Sequence, residues 1–204
     1  MKKILISYFE PFGEEKENSS ELTVNAYFKQ CPEVKKWAVA VKLPTTFKDS
    51  ANKLIETISS ENPDIVLMFG QAAGRKTISI ERVAINIIDA RIPDNKGEQP
   101  IDKPIIPGGK NAYFSTLPTR EIKKALDVKD IPSAISYSAG TYVCNYLFYS
   151  TMHFIEYNEL ETRAGFVHLP LSSLQSEENS DKPSLSQQML IDGLNEIIKV
   201  CVKQ

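Results

Sequence analysis

Apolar runs of strand length alternate with segments of helical period along almost the whole 204-residue chain. That alternation predicts an α/β domain with a mainly parallel sheet covered by helices on both faces. KKILIS (2–7), KKWAVAVKL (35–43), DIVLMFG (64–70), SAISY (133–137) and GFVHL (165–169) read as strands. ELTVNAYFKQ (21–30), TFKDSANKLIETISS (46–60), TREIKKALD (119–127), TYVCNYLFYSTMHFIEY (141–157) and SLSQQMLIDGLNEIIKVCVK (184–203) read as helices. Ser184 with Gln187 is the expected capping box of the last one. Residues 76–90 are rich in β-branched side chains and predict one long strand or a hairpin-like excursion. The Pro/Gly-rich stretch 91–111 and the polar stretch 172–184 read as loops, and 91–111 is long enough to suggest a functional role. No repeat or linker divides the chain, so residues 1–204 are expected to form a single domain.

Charge narrows the partners. With 24 basic and 26 acidic residues and a net charge of −2, the chain lacks the basic block of a nucleic-acid binder. Its apolar runs are too short to span a membrane, and MKKILIS enters a strand-like run without a cleavage-site pattern. Three cysteines, an odd number, without an export signal point to reduced thiols in a cytoplasm. No His/Cys/Asp/Glu spacing suits zinc, and no metal or other cofactor is expected.

Candidate chemistry centres on Cys144. It falls in the first turn of a helix directly after a short strand, with Thr141 as the expected N-cap, so free backbone N–H groups and the helix dipole favour thiolate there. The alternative is a small buried hydrophobe. Cys31, before Pro32, and Cys201, on an apolar stripe, lack any activating context. Two histidines could serve as base. His153 is nine residues along the same helix, about 13 Å away, and is expected to be exposed. His168 ends the GFVHL strand, which is expected to neighbour the strand leading to Cys144; a core histidine satisfied by backbone is the other reading. Glu81 interrupts the apolar run TISIERVAIN and is either a buried acid with a partner or an edge charge paired with Arg82. Phe9 and Phe12 flank Pro11 and could line a small-ligand pocket or plug a loop.

Taken together, FEPFG (9–13), LPTTF (43–47), PDIVLMFGQAAGR (63–75), ISIERVAINIIDARIPDNKGEQP (78–100), SYSAGTYVCNYLFY (136–149) and GFVHLP (165–170) resemble pyroglutamyl peptidase I, a cytoplasmic cysteine peptidase family. The resemblance implies a three-layer αβα, phosphorylase/hydrolase-like fold with a twisted, mainly parallel central sheet, and it implies Cys144 as nucleophile, His168 as general base and acid, and Glu81 as the orienting carboxylate. It also implies a lactam pocket drawing on Phe9, Phe12, Gln71, Ile92, Tyr142 and Val143 with Thr45 nearby, Arg91 close to the catalytic centre, pyroglutamyl peptides as substrates, and assembly as a homotetramer. Tyr8, Glu14, Ser19, Ala73 and Tyr142 depart from the usual pattern, and Tyr8 and Glu14 stand where the family commonly has Gly. Two other classes fit the layering: a nucleoside phosphorylase-like enzyme using the PGGKN loop for phosphate, and a non-catalytic binding protein whose Tyr8/Glu14 loop blocks the pocket.

Overall fold

Every residue of strand β1 (Ile4–Phe9) is buried, because the strand is paired on both edges and covered on both faces. In the computed structural model, which describes residues 2–175 and 181–203, the elements follow as α1 (Ser19–Gln30), β2 (Ala38–Leu43), α2 (Phe47–Glu61), β3 (Ile65–Gln71), β4 (Ile78–Glu81), β5 (Val83–Ile85), β6 (Ala112–Phe114), α3 (Thr119–Val128), β7 (Ser133–Ser136), α4 (Val143–Tyr157), β8 (Arg163–Leu169), β9 (Leu171–Ser172), β10 (Ser184–Leu185) and α5 (Gln187–Lys203). The main sheet has six strands in the order β2-β1-β3-β8-β4-β7. Its pairings are parallel except between β8 and β4, where direction reverses.

Side chains alternate across the strands, so each face has its own core. Ile4, Ile6, Ile65, Leu67, Phe69, Ile78, Ile80 and Val167 pack under α1, α3 and α5. Leu5, Phe9, Val66, Met68 and Phe166 pack under α2 and α4. The result is the three-layer αβα architecture, with helices on both faces of a mainly parallel sheet.

Several expectations need correction. Residues 76–90 form neither one strand nor a simple hairpin: β4 enters the main sheet, while β5 leaves it and pairs with β6 across the loop 86–111. The strand expected beside β7 is not β8, since β4 lies between them. Ser184 is not part of a capping box; it pairs with Leu171, and Ser186 caps α5 by accepting the Met189 N–H at 3.2 Å. Gln187 instead accepts from the Ser172 hydroxyl at 2.6 Å. In the 172–184 stretch, residues 176–180 lie outside those described, and Ser173–Gln175 is a 3-10 turn. His153 is half-buried rather than exposed, bonded to the Tyr113 hydroxyl at 2.9 Å and stacked against Tyr149 and Tyr157.

Candidate active site

The antiparallel register of β4 on β8 sets Ser79 opposite His168. Glu81, two residues on, is therefore a same-face diagonal neighbour of His168, within reach of a long side chain. His168 Nδ1 lies 2.7 Å from Glu81 Oε1, and both residues are buried. A carboxylate only accepts, so this bond places the proton on Nδ1 and leaves Nε2 as the free acceptor of a neutral imidazole. The Phe166 ring packs on the imidazole at 4.7 Å between centroids, which fixes its other side.

Cys144 reaches the same place from the α4 side. Gly70 pairs with His168 across β3 and β8, and a Cβ added to Gly70 would sit 3.0 Å from Cys144 Sγ and 2.8 Å from Phe166 Cζ. The thiol thus points inward onto the sheet above Gly70, although Cys144 as a residue is only half-buried. Helix α4 starts at Val143, one residue later than Thr141 would dictate, and Tyr142 is its N-cap with no side-chain cap bond. Thr141 instead donates its hydroxyl to the Asp89 carbonyl at 2.9 Å. With no side chain closing the first turn, the N–H groups of Val143 and Cys144 remain a donor pair for a negatively charged oxygen.

A group that sequence reading missed completes the cluster. Arg75 Nη1 donates to Glu81 Oε1 at 2.6 Å, and Nη2 donates to the Ser138 carbonyl at 3.0 Å. The signal available was a basic residue in a glycine turn six positions before an acid in an apolar strand. Arg82, the other candidate partner of Glu81, donates to Thr119 Oγ1 at 2.9 Å and covers the Phe114 ring.

These neighbours set the protonation states. Burial pushes the Glu81 carboxyl up, but His168, Ser136 and Arg75 together outweigh it, and the carboxyl titrates below its usual range. The Ser136 hydroxyl donates to the Ser138 carbonyl at 3.2 Å, and Glu81 Oε2 is buried with no hydrogen-bond partner among the described residues. Burial lowers the His168 pKa, with Glu81 opposing and Arg75 assisting. Burial, then the Glu81 charge, pushes the Cys144 thiol up to about 12, against a smaller lowering by Arg75. Against the pull toward thiolate expected of a helix start, burial of the inward-pointing sulfur and the Glu81 charge push toward the thiol. Both shifts favour a neutral thiol and a neutral imidazole.

The other candidate residues divide by position. Phe9 is buried on the α2/α4 face. Phe12 and Tyr142 face each other at 6.3 Å, and Tyr142 stands edge-on to Phe47, the first residue of α2, at 5.4 Å. Thr45 is buried, its N–H and hydroxyl bonded to Glu10. Val143 is fully buried as the first residue of α4. Gln71 follows Gly70, so its side chain projects to the α1 side of the sheet, where Oε1 accepts from the Ser19 N–H at 2.7 Å and from Gln175 Nε2 at 2.9 Å. Only the Gln71 backbone borders the face that carries Cys144. Arg91 and Ile92 are exposed, and the arginine that touches Glu81 is Arg75.

The loop 86–111 closes the wall. Asn95 Nδ2 donates to Glu10 Oε1 at 2.9 Å and to the Pro11 carbonyl at 3.0 Å. The Phe47 N–H donates to Asp94 Oδ2 at 3.0 Å, and the Tyr142 hydroxyl donates to the Pro93 carbonyl at 2.9 Å. Tyr8 projects to the opposite face, its hydroxyl on Asn25 at 3.1 Å, so it does not intrude on the pocket. Neither Tyr8, Glu14, Ser19 nor Ala73 occupies the left-handed region, which Gly13 and Gly74 supply. Among the described residues, no three His, Cys, Asp or Glu side chains are grouped to hold a metal ion.

A sequence profile of pyroglutamyl peptidase matches residues 2–204. The chain is 46% identical over 203 residues to pyrrolidone-carboxylate peptidase 1 of Caldanaerobacter subterraneus subsp. tengcongensis, with 98% of each chain covered. It is 44% identical over 197 residues to the pyrrolidone-carboxylate peptidase of Brachyspira hyodysenteriae, with 97% of each covered. The crystal structure of Bacillus amyloliquefaciens pyroglutamyl peptidase I superposes with a TM-score of 0.92 at 38% identity, covering 100% of this chain and 98% of that one. A variant of pyrrolidone carboxyl peptidase from Pyrococcus furiosus superposes with a TM-score of 0.90 at 38% identity, covering 98% of each.

Proposed function

The chain belongs to the pyroglutamyl peptidase family, and we propose that it removes N-terminal pyroglutamyl residues from peptides with Cys144 as nucleophile, His168 as general base and acid, and Glu81 as the orienting carboxylate. The observation that carries these roles is the 2.7 Å His168–Glu81 bond between the interior strands β8 and β4, on the face of the sheet onto which Cys144 points from the uncapped start of α4.

Because thiol and imidazole rest neutral, the reaction starts by general-base catalysis. His168 Nε2 takes the Cys144 proton as sulfur attacks the carbonyl that follows the lactam ring. The oxyanion is held by the N–H groups that open α4; losing one such donor costs on the order of 100-fold in rate. The imidazolium, stabilised by Glu81, gives its proton to the departing amine and leaves a thioester. Water, deprotonated by His168, attacks the thioester, pyroglutamate departs, and the proton returns to sulfur. Pyroglutamate has no free ammonium, and the half-buried rings of Phe12 and Tyr142, backed by buried Phe47, suit a compact neutral ring.

The phosphorylase reading loses its anchor, since a Cβ on Gly109 would lie 2.7 Å from the Tyr149 hydroxyl and the PGGKN loop is packed on α4. The blocked-pocket reading loses its own, since Tyr8 lies on the far face of the sheet. Residues 1–204 act as one peptidase domain, a reading supported by a single sheet that draws strands from residue 4 through residue 169. A reducing cytoplasm as working compartment is supported by three unpaired cysteines. A homotetramer is supported by exposed Ile87, Ile92, Ile101 and Phe114 in and beside the 86–111 loop, and sedimentation velocity tests it. Purified protein should release the fluorophore from a pyroglutamyl amide, and Cys144→Ala should abolish the release; turnover surviving in that variant refutes the nucleophile.

A further inference from the structure

We propose that Arg75 is a positioning residue for this reaction: one guanidinium joins the triad carboxylate to the turn that delivers the nucleophile. The inference rests on the triad reading above and adds to it a residue that touches no reacting atom.

The geometry begins in the β3–β4 turn. Gly74, at φ +90°, takes the left-handed step, the Arg75 N–H closes on the Ala72 carbonyl at 3.2 Å, and the Arg75 side chain is directed over the end of β4. Nη1 lies 2.6 Å from Glu81 Oε1, the same oxygen that receives His168 Nδ1 at 2.7 Å. The Ser136 hydroxyl, at the end of β7, is 3.5 Å from Nη1. Nη2 reaches the Ser138 carbonyl at 3.0 Å, six residues before Cys144. The guanidinium therefore spans β4, β7 and the 137–142 turn. The far end of that turn is pinned separately, by Thr141 Oγ1 on the Asp89 carbonyl at 2.9 Å and the Asp89 N–H on the Thr141 carbonyl at 3.0 Å.

Each anchor removes a freedom that the mechanism cannot tolerate. Without Nη1, Glu81 can rotate away from His168, and without Nη2 the strand-to-helix turn can slide relative to the imidazole. A displacement of about 1 Å between reacting groups can cost on the order of 100-fold. Lysine would keep the charge but not the two-directional fork. The charged groups that act on His168 are Glu81 from β4 and Arg75 from the β3–β4 turn, while Cys144 from α4 lies over Gly70, the residue paired with His168. Arg75 is the cation among them and favours the neutral imidazole and the thiolate.

The test uses the full chain with Arg75→Gln and Arg75→Lys, measuring kcat and KM on a pyroglutamyl amide from pH 5 to 9 and thermal unfolding of each variant. Arg75→Gln should lower kcat about 100-fold with KM little changed, and should move the acid limb of kcat/KM to higher pH. Arg75→Lys should restore the limb while recovering only part of kcat. A purely structural Arg75 would lower the unfolding temperature and leave the limb in place, and that result, or an unchanged kcat, overturns the proposal. A second readout needs no turnover: Cys144 alkylation by iodoacetamide should be slower in Arg75→Gln at each pH. If wild-type protein fails to cleave the amide, the functional reading fails, and the alkylation rates still decide whether Arg75 acts on the cluster.

Discussion

His168 meets Glu81 at 2.7 Å across an antiparallel strand pair inside a sheet whose other pairings are parallel. In this register Ser79 stands opposite His168, and Glu81, two residues on along the same face, reaches the imidazole diagonally. β4 and β7 run opposite to the other four strands, and the antiparallel seam between β8 and β4 holds both ends of this hydrogen bond.

Glu81→Gln tests what that bond does. An amide in place of the carboxylate can present an N–H to Nδ1, select the other tautomer and remove the stabilising charge. A loss of kcat approaching 10⁴-fold, the order for a triad carboxylate converted to its amide, is expected, with KM much less affected. An effect confined to KM would remove Glu81 from the mechanism.

Resting Cys144 is a thiol, since its pKa is pushed up to about 12 by burial and then by Glu81. Its alkylation rate by iodoacetamide in the free enzyme should therefore climb through pH 9 without a plateau. A plateau beginning near neutrality would mark a preformed thiolate–imidazolium pair.

Gly70→Ala places a methyl group 2.8 Å from Phe166 Cζ and 3.0 Å from Cys144 Sγ. Overpacking at this point should cost about 1–3 kcal/mol in urea denaturation. The sulfur should be displaced from His168, so turnover per folded molecule should fall as well; retained turnover would show that Sγ need not sit over Gly70.

Acid should weaken the fold through the same cluster. His168 titrates below 6.5 when folded, so below about pH 6.5 the unfolded chain binds a proton that the native state refuses, and stability drops as pH falls towards the lowered folded value. Glu81, titrating below 4.5 when folded, adds its loss only under more acidic conditions. The urea midpoint should fall between pH 7 and 5 in wild type and fall less in His168→Asn; identical slopes would contradict the lowered His168 pKa.

Tyr142→Phe keeps the ring against Phe47 and removes the hydroxyl bond to the Pro93 carbonyl. About 1 kcal/mol of stability should be lost, together with a rise in KM as the 86–111 loop loosens over the pocket. An unchanged KM would show that the loop does not shape the site.

Local pattern determined a good deal of this protein. Near-continuous apolar runs along β1 and β3 marked strands covered on both faces, and the strand-to-helix step before Cys144 marked a helix start where a thiol could meet free N–H groups. The family motifs then singled out Cys144, His168 and Glu81 among the residues that could react. Other features depended on strand order and on which side chains were in reach, neither of which is encoded within a short window. β4 entered between β8 and β7 in the reverse direction, placing Glu81 rather than a β7 residue beside His168. Thr141 found the Asp89 carbonyl from a distant loop and left α4 uncapped. Tyr8 and Gln71 fell on the far face of the sheet because the pleat alternates, and Arg75 reached Glu81 because a turn at Gly74 directed it there. The thiol's protonation was decided last, since desolvation depends on what packs around the sulfur once the layers have closed.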